Sequence, residues 1–408
     1  PRTYGVDDIP LALSSRRYTN SNQFVTANVA YGDYVLVNGT PSPQITLPKQ
    51  YVRLRILNVE TERAYNLGFS DNRNFYLIAT DGGLVNSPVQ LTRLRLGVGE
   101  RAEILVDLSN DNINTSIDLK AYNSGQGQGF PGGEPNSTGQ FGSLLNNTDF
   151  NILHINVGVA TSNPVTSVPS VLANNIYPTS AQATVNRTLA VTQGTPGGLP
   201  FMFDNTIYDF NTINKTVYLN DIEKWTVSGG NVFSHTFHIH DVQFKIVARN
   251  GNANAVGNFE SGWKDVMYVP ENQNVSFVAR FTDYSDSIHP FMYHCHFTNH
   301  EDDGLMQQFI VVDTNHLTTD IEQLKNYKPD FLVYPNPANS KLFVSMNDAS
   351  NEVYYIIIRD IEGRSLYMLP KPELQTGIDI SNLQQGVYLV ELTDMKTKSV
   401  VTKKFIKE

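Results

Sequence analysis

Two histidine-rich segments constrain the fold of this 408-residue chain more than any other feature of its sequence. Seven of the nine histidines lie between residues 235 and 300, and six of these seven belong to the motifs HTFHIH (235–240) and HCHFTNH (294–300). The second motif also contains the only cysteine, Cys295. If one metal ion binds both motifs, the fold must bring together two segments that are far apart in the sequence.

The spacing within each motif predicts which side chains face together. Alternate residues of a β-strand point to the same side, so His238 and His240 face one way. In HCH, His294 and His296 face one side and Cys295 faces the other. One strand can therefore serve two sites, an imidazole site and a thiolate site, which are joined by only a few covalent bonds.

The residue types of the two motifs indicate copper. One thiolate with two imidazoles is the ligand set of a blue-copper site, and His235, Cys295 and His300 supply that set. A structural zinc site more often uses two to four cysteines in C-x-x-C motifs, which are absent here. A catalytic Cys/His pair is disfavoured because Cys295 lies inside a predicted buried strand. Histidines that are merely satisfied in a polar core would account poorly for two spaced motifs.

Composition and patterning predict an all-β protein. Short alternating segments such as YVRLRILNV (51–59) recur between turns rich in Gly, Asn and Pro, which is the pattern of strands. A net charge of −10 argues against nucleic acid or an anionic membrane as the main partner. No run of 18 apolar residues occurs, so the sequence predicts no membrane span.

A Pro-, Ser- and Thr-rich stretch without periodicity and, further along, a polar connector divide the chain into three predicted domains joined by two linkers. The linkers are predicted at 163–186 and 316–330. The domains are predicted at 1–162, 187–315 and 331–408.

A family resemblance rests on several segments. HTFHIHDVQF (235–244) and HPFMYHCHFTNHEDDGLM (289–306) resemble the copper motifs of the multicopper oxidases, the family of laccases and bilirubin oxidases. Upstream, YGVDDIPLAL (4–13) and LGVGERAEILVDLS (96–109) resemble the middle domain of that family, especially in laccases of the bacterial spore-coat type. The resemblance covers roughly residues 1–313. It implies two cupredoxin-like β-sandwich or barrel domains, the first of them without copper ligands.

The resemblance also implies roles for individual residues. Type 1 copper, which takes electrons from the substrate, would be bound by His235, Cys295 and His300. Type 2 copper would be bound by His238, and the type 3 pair by His240, His294 and His296. Dioxygen would be reduced to water at this three-copper cluster. Glu301 matches a carboxylate that the family uses as a proton relay, so Glu301 and Cys295 are the predicted catalytic residues. The alternative for Glu301 is a solvated loop acid beside Asp302 and Asp303.

The first departure from the family pattern concerns the axial neighbour of type 1 copper. Much of the bacterial family has a methionine ten residues after the cysteine, where this chain has Leu305 followed by Met306. Leucine cannot coordinate copper, so we expect a raised reduction potential. A local bulge that restores Met306 is the alternative.

The second departure is the number of cluster ligands. The family uses eight histidines, four of them from two H-x-H motifs of an N-terminal domain, and no further H-x-H motif occurs here. The remaining histidines, His154, His289 and His316, are isolated. With its start at Pro1, the chain resembles a three-domain oxidase that lacks its first domain. We therefore expect a fully encoded type 1 site, partly encoded type 2 and type 3 sites, and the missing domain as a partner.

The carboxy-terminal segment resembles a second family. VYPNPANSKLFV (333–344) and LQQGVYLVEL (383–392) are similar to the sorting domain of the type IX secretion system, over residues 331–408. This resemblance implies a small β-sandwich, a secretion machinery as partner, and a secreted or cell-surface protein. A carbohydrate-binding or adhesin-type module would show an exposed row of aromatic residues, whereas Tyr354, Tyr355 and Tyr388 fit core positions.

The function expected from these features is that of a laccase-like, copper-dependent oxidoreductase. Its reductants would be phenols, aryl amines, pyrroles or metal ions, and its acceptor would be dioxygen. With 7 methionines and no methionine-rich insert, oxidation of cuprous ions is disfavoured. The alternatives are a non-catalytic cupredoxin module for electron transfer or copper binding, and a structural surface adhesin.

Overall fold

A computed structural model of the chain describes residues 2–26, 29–126, 129–135, 139–195, 198–231, 233–313, 331–346, 354–370, 377–394 and 400–408. The chain forms two compact units, Pro1–Asp313 and Thr314–Glu408. Strands dominate the described residues, which confirms the predicted all-β class. No helix among them is both long and apolar enough to cross a membrane. The predicted linker 316–330 and His316 lie outside the described residues.

The first domain of the larger unit is a sandwich of two sheets. A seven-stranded sheet has the order β3-β2-β1-β5-β10-β7-β8, and a five-stranded sheet has the order β4-β12-β11-β6-β9. A 3₁₀ turn, Gly139–Phe141, precedes the last strand. The strands are β1 Asp8–Arg16, β2 Tyr34–Val37, β3 Thr40–Pro41, β4 Gln44–Pro48, β5 Tyr51–Asn58, β6 Tyr65–Phe69, β7 Phe75–Thr80, β8 Gly83–Leu91, β9 Leu94–Leu96, β10 Arg101–Asp107, β11 Ser116–Tyr122 and β12 Asp149–Gly158.

Strand β5 shows why these residues form a sandwich. Its burial alternates strictly, with Val52, Leu54 and Ile56 in the core between the sheets. Arg53 and Arg55 face the other way, and Arg55 pairs with Asp8 at 2.9 Å. A period of two with one apolar face is the signature of a half-buried strand.

The second domain repeats this architecture with two five-stranded sheets. Their orders are β14-β13-β16-β20-β18 and β15-β22-β21-β17-β19. One short helix, α1 Thr298–Asp302, lies between the last two strands, and 3₁₀ turns cover Ala253–Ala255 and Asn258–Glu260. The strands are β13 Val185–Thr195, β14 Gly198–Phe203, β15 Lys215–Tyr218, β16 Ile222–Ser228, β17 His235–Ile239, β18 Phe244–Arg249, β19 Val266–Val269, β20 Asn274–Arg280, β21 Asp286–Cys295 and β22 Met306–Val312.

The segment between the two domains is attached to both of them. Residues 159–184 contain no strand and only one 3₁₀ turn, Ser180–Gln182. The backbone N–H of Leu172 donates to the carbonyl of Asn86 in the first domain. The ring of Tyr177 packs on that of Trp263 in the second, with centroids 4.8 Å apart. The predicted linker 163–186 is therefore packed against the surface of the unit, and β13 begins inside its last residues.

The smaller unit has a core of its own. Its described strands are arranged in a three-stranded sheet, β23-β24-β27, and a four-stranded sheet, β26-β25-β28-β29. Tyr388 is buried and stacks on Phe405, so it belongs to the core, as predicted. The strands are β23 Phe331–Tyr334, β24 Lys341–Met346, β25 Tyr354–Asp360, β26 Ser365–Pro370, β27 Ile378–Asp379, β28 Gly386–Asp394 and β29 Val400–Lys407.

Candidate metal centre

Two neighbouring strands of the second domain carry most of the predicted ligands. In the antiparallel pair β17–β21, Phe237 lies opposite Cys295 and His238 lies opposite His294. Directly opposed residues of such a pair face the same side of the sheet. Cys295 therefore lies on the core side with Phe237, while His238 and His294 lie together on the other face. The fold thus places Cys295 and His294 on opposite faces of the sheet, as predicted from the HCH motif.

On the core side, three donor atoms form a triangle. Sγ of Cys295 lies 3.7 Å from Nδ1 of His235 and 3.7 Å from Nδ1 of His300, and the two nitrogens are 3.2 Å apart. The centre of this triangle lies about 2 Å from each atom, which is the length of a metal–imidazole bond. Helix α1 contributes His300, and the first turn of the helix places its ring beside Cys295. The spacing fits one ion bound by all three residues.

The electrostatics of this triangle also fit a metal cation. All three side chains are buried. Burial lowers the pKa of His300 to about 3. Burial, together with the neighbouring His300, lowers the pKa of His235 well below its usual value. Both imidazoles are therefore neutral and keep a lone pair. Burial raises the pKa of Cys295 to about 12, so a bound cation is needed to hold the thiolate there.

Aromatic rings enclose the triangle and exclude water. The ring of Phe201 lies 5.0 Å from that of His235 and 4.5 Å from that of His300, measured between centroids. Phe297 and Phe233 approach the ring of His300 at 5.3 and 5.7 Å. Such an apolar shell lowers the local dielectric, and that shell influences the redox potential of a bound metal.

The position of Leu305 agrees with the predicted axial neighbour. Leu305 is fully buried in the same apolar cluster as Cys295, and its carbonyl accepts a hydrogen bond from the backbone N–H of Cys295. Met306 begins β22 and lies opposite His294 in the register, so its side chain faces the other side of the sheet. Cys295 and Leu305 therefore share one side, and no bulge returns Met306 to it.

On the opposite face, three imidazoles converge. His238, His240 and His294 each offer a ring nitrogen within 4.8 Å of the others, and the Nε2 atoms of His240 and His294 are 3.4 Å apart. Nδ1 of His238 donates to the carbonyl of Asp265 at 2.8 Å. Nδ1 of His294 donates to the carbonyl of Cys295 at 3.0 Å. Since those carbonyls can only accept, Nε2 of both rings is left as the free metal-binding atom.

This second group lies beside open space. His238 and His240 line a surface concavity of about 520 Å³, together with Tyr284 and Phe291. Burial lowers the pKa of His238 to about 4 and also lowers those of His240 and His294. The rings are therefore neutral near pH 7 and available as ligands.

His296, predicted with this group, lies at its border. Its ring centroid is 5.7 Å from those of His238 and His294, and its nitrogens are not among the three that converge within 4.8 Å. Glu301 also lies beside this group, with Oε2 3.4 Å from Nδ1 of His294. Its partial burial raises its pKa, with His296 opposing the shift and Asp302 adding to it.

The remaining histidines that the structure describes lie apart from both groups. His154 pairs with Asp118 on the first domain, and His289 pairs with Asp286 on the second. Neither belongs to a set of three potential metal ligands. Trp263 packs on Tyr177, and its carbonyl accepts from the hydroxyl of Thr80.

Sequence reasoning missed Glu62, which approaches the first site from the other domain. The side-chain amide of Asn299, the residue before His300, donates to Oε1 of Glu62 at 2.6 Å. Glu62 is only 1% exposed, and its Oε2 has no hydrogen-bond partner among the described residues. Burial raises its pKa to about 7. In the sequence it is one of three acidic or polar residues in the segment ETE, which carries no distinguishing signal.

Comparison with known families covers most of the chain. Two multicopper oxidase family models match residues 15–127 and 177–315, which together are more than half of the chain. The family model of the secretion system C-terminal sorting domain matches residues 332–408. The predicted family resemblances are therefore confirmed.

Individual relatives are similar to the chain over about three quarters of its length. The chain is 29% identical to the cell division protein FtsP of Photorhabdus laumondii over 320 residues, covering 77% of the chain and 63% of FtsP. It is 29% identical to the bilirubin oxidase of Albifimbria verrucaria over 330 residues, covering 76% of the chain and 54% of that enzyme. The chain thus spans about three fifths and about half, respectively, of these curated relatives.

Solved structures share the fold. The laccase-like multi-copper oxidase CueO of Ochrobactrum sp. superposes with a TM-score of 0.65 at 29% identity, covering 76% of this chain and 68% of CueO. The site geometry, the two matching family models and this structural likeness agree. The chain belongs to the multicopper oxidase family and ends in a secretion system sorting domain.

Proposed function

We propose that the chain provides the complete type 1 copper site and half of the trinuclear centre of a laccase-like oxidase. The observation that carries the proposal is the triangle formed by Sγ of Cys295 with Nδ1 of His235 and His300. When bound, copper at the first site would take single electrons from a reductant, and the three-copper cluster would reduce dioxygen to water. His238, as type 2 ligand, and His240, His294 and His296, as type 3 ligands, complete the proposed assignment.

The protein's own contribution is to hold the two sites side by side. Cys295 and His294 are adjacent in β21, and their side chains lie on opposite faces of one sheet. The hydrogen bond from Nδ1 of His294 to the carbonyl of Cys295 adds a second link between the groups. This connection is short and buried, which favours electron transfer from one site to the other.

Glu301 is proposed to hold a proton next to the second site. Its Oε2 lies within 3.4 Å of Nδ1 of His294, and its raised pKa favours the protonated form more than an exposed glutamate would. Dioxygen reduction consumes protons, so a carboxyl group between solvent and the cluster is suited to supply them. If Glu301 is instead a solvated loop acid, Glu301→Gln should leave turnover unchanged.

The remaining ligands of the cluster are proposed to come from a further domain with two H-x-H motifs. The four histidines 238, 240, 294 and 296 account for half of the eight that the family uses. The concavity beside His238 and His240 leaves space on the face where additional ligands would have to approach. Without them, we expect the present chain to bind copper but to reduce dioxygen poorly.

A second candidate function is a non-catalytic cupredoxin module. It is favoured by the incomplete ligand set and by the likeness to FtsP, which is named as a cell division protein.

Reductants of the oxidase would be phenols, aryl amines, pyrroles or metal ions. The likeness to a bilirubin oxidase and to a laccase-like enzyme supports organic reductants.

Copper stoichiometry and oxygen uptake discriminate between these candidates. The chain is loaded with copper, and blue absorption, bound copper and oxygen consumption with a phenolic reductant are measured. The same is done after an upstream domain with two H-x-H motifs is joined to it, with Cys295→Ser as control. Oxygen uptake that appears with the added domain and vanishes in Cys295→Ser supports the oxidase. Blue absorption without oxygen uptake in either form supports the module.

Export is proposed to depend on the sorting domain, which the family match at residues 332–408 supports. We propose that a type IX machinery carries the protein across the outer membrane to the surface or the medium. Residues 331–408 attached to a periplasmic reporter should move the reporter outside the cell in a bacterium that has this system. The reporter should stay in the periplasm when the system is deleted.

A further inference from the structure

We infer that the turn 97–101 (GVGER) of the first domain, which holds no predicted copper ligand, positions His238 and His296 for metal binding. The inference rests on the proposed function, because it concerns the second copper group. The turn joins β9 to β10, and its tip reaches the second domain: Val98 is buried within the apolar cluster that contains Cys295.

Arg101 acts on His238 through Asp265. Its guanidinium group binds the carboxylate of Asp265 with two hydrogen bonds, at 2.6 and 2.7 Å. The carbonyl of the same Asp265 accepts from Nδ1 of His238 at 2.8 Å. A bidentate pair fixes the orientation of a carboxylate, and here it fixes the residue whose backbone determines the tautomer of His238. Nε2 of that ring is thereby kept free of a proton and directed at the metal.

Gly99 acts on His296 by contact. Its φ angle is +80°, and a Cβ at this position would lie 2.6–2.8 Å from three atoms of the His296 ring. Only glycine satisfies both conditions, because the left-handed backbone disfavours a side chain and the imidazole occupies its place. The ring of His296 therefore rests directly on the backbone of the turn.

A buried ion cluster anchors the turn to Lys264 and Asp265, the two residues that precede β19. The ammonium group of Lys264 contacts Asp81 and Glu100, each at 2.9 Å. Asp81 also accepts from the backbone N–H of Arg101 at 2.7 Å, and Glu100 accepts from that of Gly97 at 2.6 Å. Lys264 directly precedes Asp265 in the chain, so these bonds fix the position of the Asp265 carbonyl relative to the turn.

The test compares Arg101→Lys and Gly99→Ala in the full chain, with Arg55→Lys as the matched control. Arg55 lies on the same sheet face, is equally exposed and pairs with Asp8, but it contacts neither copper group. Cu²⁺ is titrated, with the blue absorption of the Cys295 site and the second, non-blue ion measured separately. His240→Ala identifies the signal of the second ion. Loss of an orienting partner of a metal ligand typically weakens metal binding by about 10- to 100-fold.

We expect Arg101→Lys and Gly99→Ala to weaken binding of the second ion by that factor. Copper binding at the blue site, and both affinities of the control variant, should be unchanged. A purely structural role of the turn would instead lower the melting temperature without separating the two copper sites. If Gly99→Ala does not fold, Arg101→Lys alone decides. Affinity for the second ion within twofold of wild type in a folded variant would overturn this inference alone. A wild-type chain that binds no second ion would overturn the proposed second copper group as well.

Discussion

Nδ1 of His294 donates a hydrogen bond to the carbonyl oxygen of Cys295, its neighbour in the chain, at 3.0 Å. The two side chains point to opposite faces of β21, so this bond runs between the two groups of potential ligands. The tautomer of His294 is therefore fixed by the backbone carbonyl of the residue that carries the thiol. A change in how Cys295 is held is therefore transmitted to the imidazole of the second group.

Leu305→Met should lower the reduction potential of copper at the Cys295 site. Leucine offers no donor atom, whereas a thioether on the axial side stabilises the oxidised ion. The fold should tolerate the change, since exchange of leucine for methionine in a core usually costs less than about 1.5 kcal/mol. Redox titration of the blue absorption measures the potential. Met306→Leu is the control, because Met306 faces the other side of the sheet, and a shift there equal to that of Leu305→Met would refute the assigned axial side.

The buried carboxyl of Glu62 should make the metal-free fold less stable as pH rises. Its pKa is raised from 4.5 to about 7 in the folded chain, so the folded state binds more protons between these values than the unfolded state. The stabilisation is present below pH 4.5 and is lost as pH passes about 7, by up to roughly 3 kcal/mol.

Glu62→Gln removes this titration while keeping the shape of the side chain. Melting temperatures of the two metal-free proteins are compared from pH 5 to pH 8. The advantage of the variant should grow with pH, and parallel curves for the two proteins would show that Glu62 titrates normally.

Lys264→Met should destabilise the larger unit by about 3–5 kcal/mol, because it removes the buried ammonium group that pairs with the carboxylates of Asp81 and Glu100. Burial alone would lower the pKa of Lys264, but the two carboxylates more than offset this and raise it above its usual value. Thermal unfolding measures the loss. Adding Asp81→Asn and Glu100→Gln should restore part of the stability, and a triple variant no better than Lys264→Met would contradict the assigned cause.

Copper should raise the melting temperature of the wild-type chain. An ion that binds only the folded state adds about 2.7 kcal/mol when its concentration is 100 times its dissociation constant. His235→Ala removes one corner of the donor triangle and should abolish most of this gain at the first site. His289→Ala, an exposed histidine outside both groups, should keep the gain in full. Equal behaviour of the two variants would argue against the proposed ligand set.

The arrangement of the HCH motif could be predicted because it depends on one local rule. The two-residue period of a strand assigns Cys295 to one face and His294 to the other without knowledge of the fold. The preference for Leu305 over Met306 depends on the same period, and the structure places Leu305 on the side of Cys295 because β22 starts without a bulge next to His294.

Contacts between the two domains could not be predicted in this way. Glu62 meets Asn299 across 237 residues of sequence, and Arg101 meets Asp265 across 164. Nothing in the local sequence distinguishes Glu62 from acidic residues at the surface, or Arg101 from the arginines of β5. Their roles arise only when the sandwich of the first domain packs against the second.

The most direct test of the central claim is X-ray absorption at the copper edge of the chain loaded with one Cu²⁺. We predict one sulfur and two imidazole nitrogens bonded to the ion, with the sulfur contribution lost in Cys295→Ser and one nitrogen lost in His235→Ala. A copper surrounded by nitrogen and oxygen only, or a spectrum that Cys295→Ser leaves unchanged, would contradict the account.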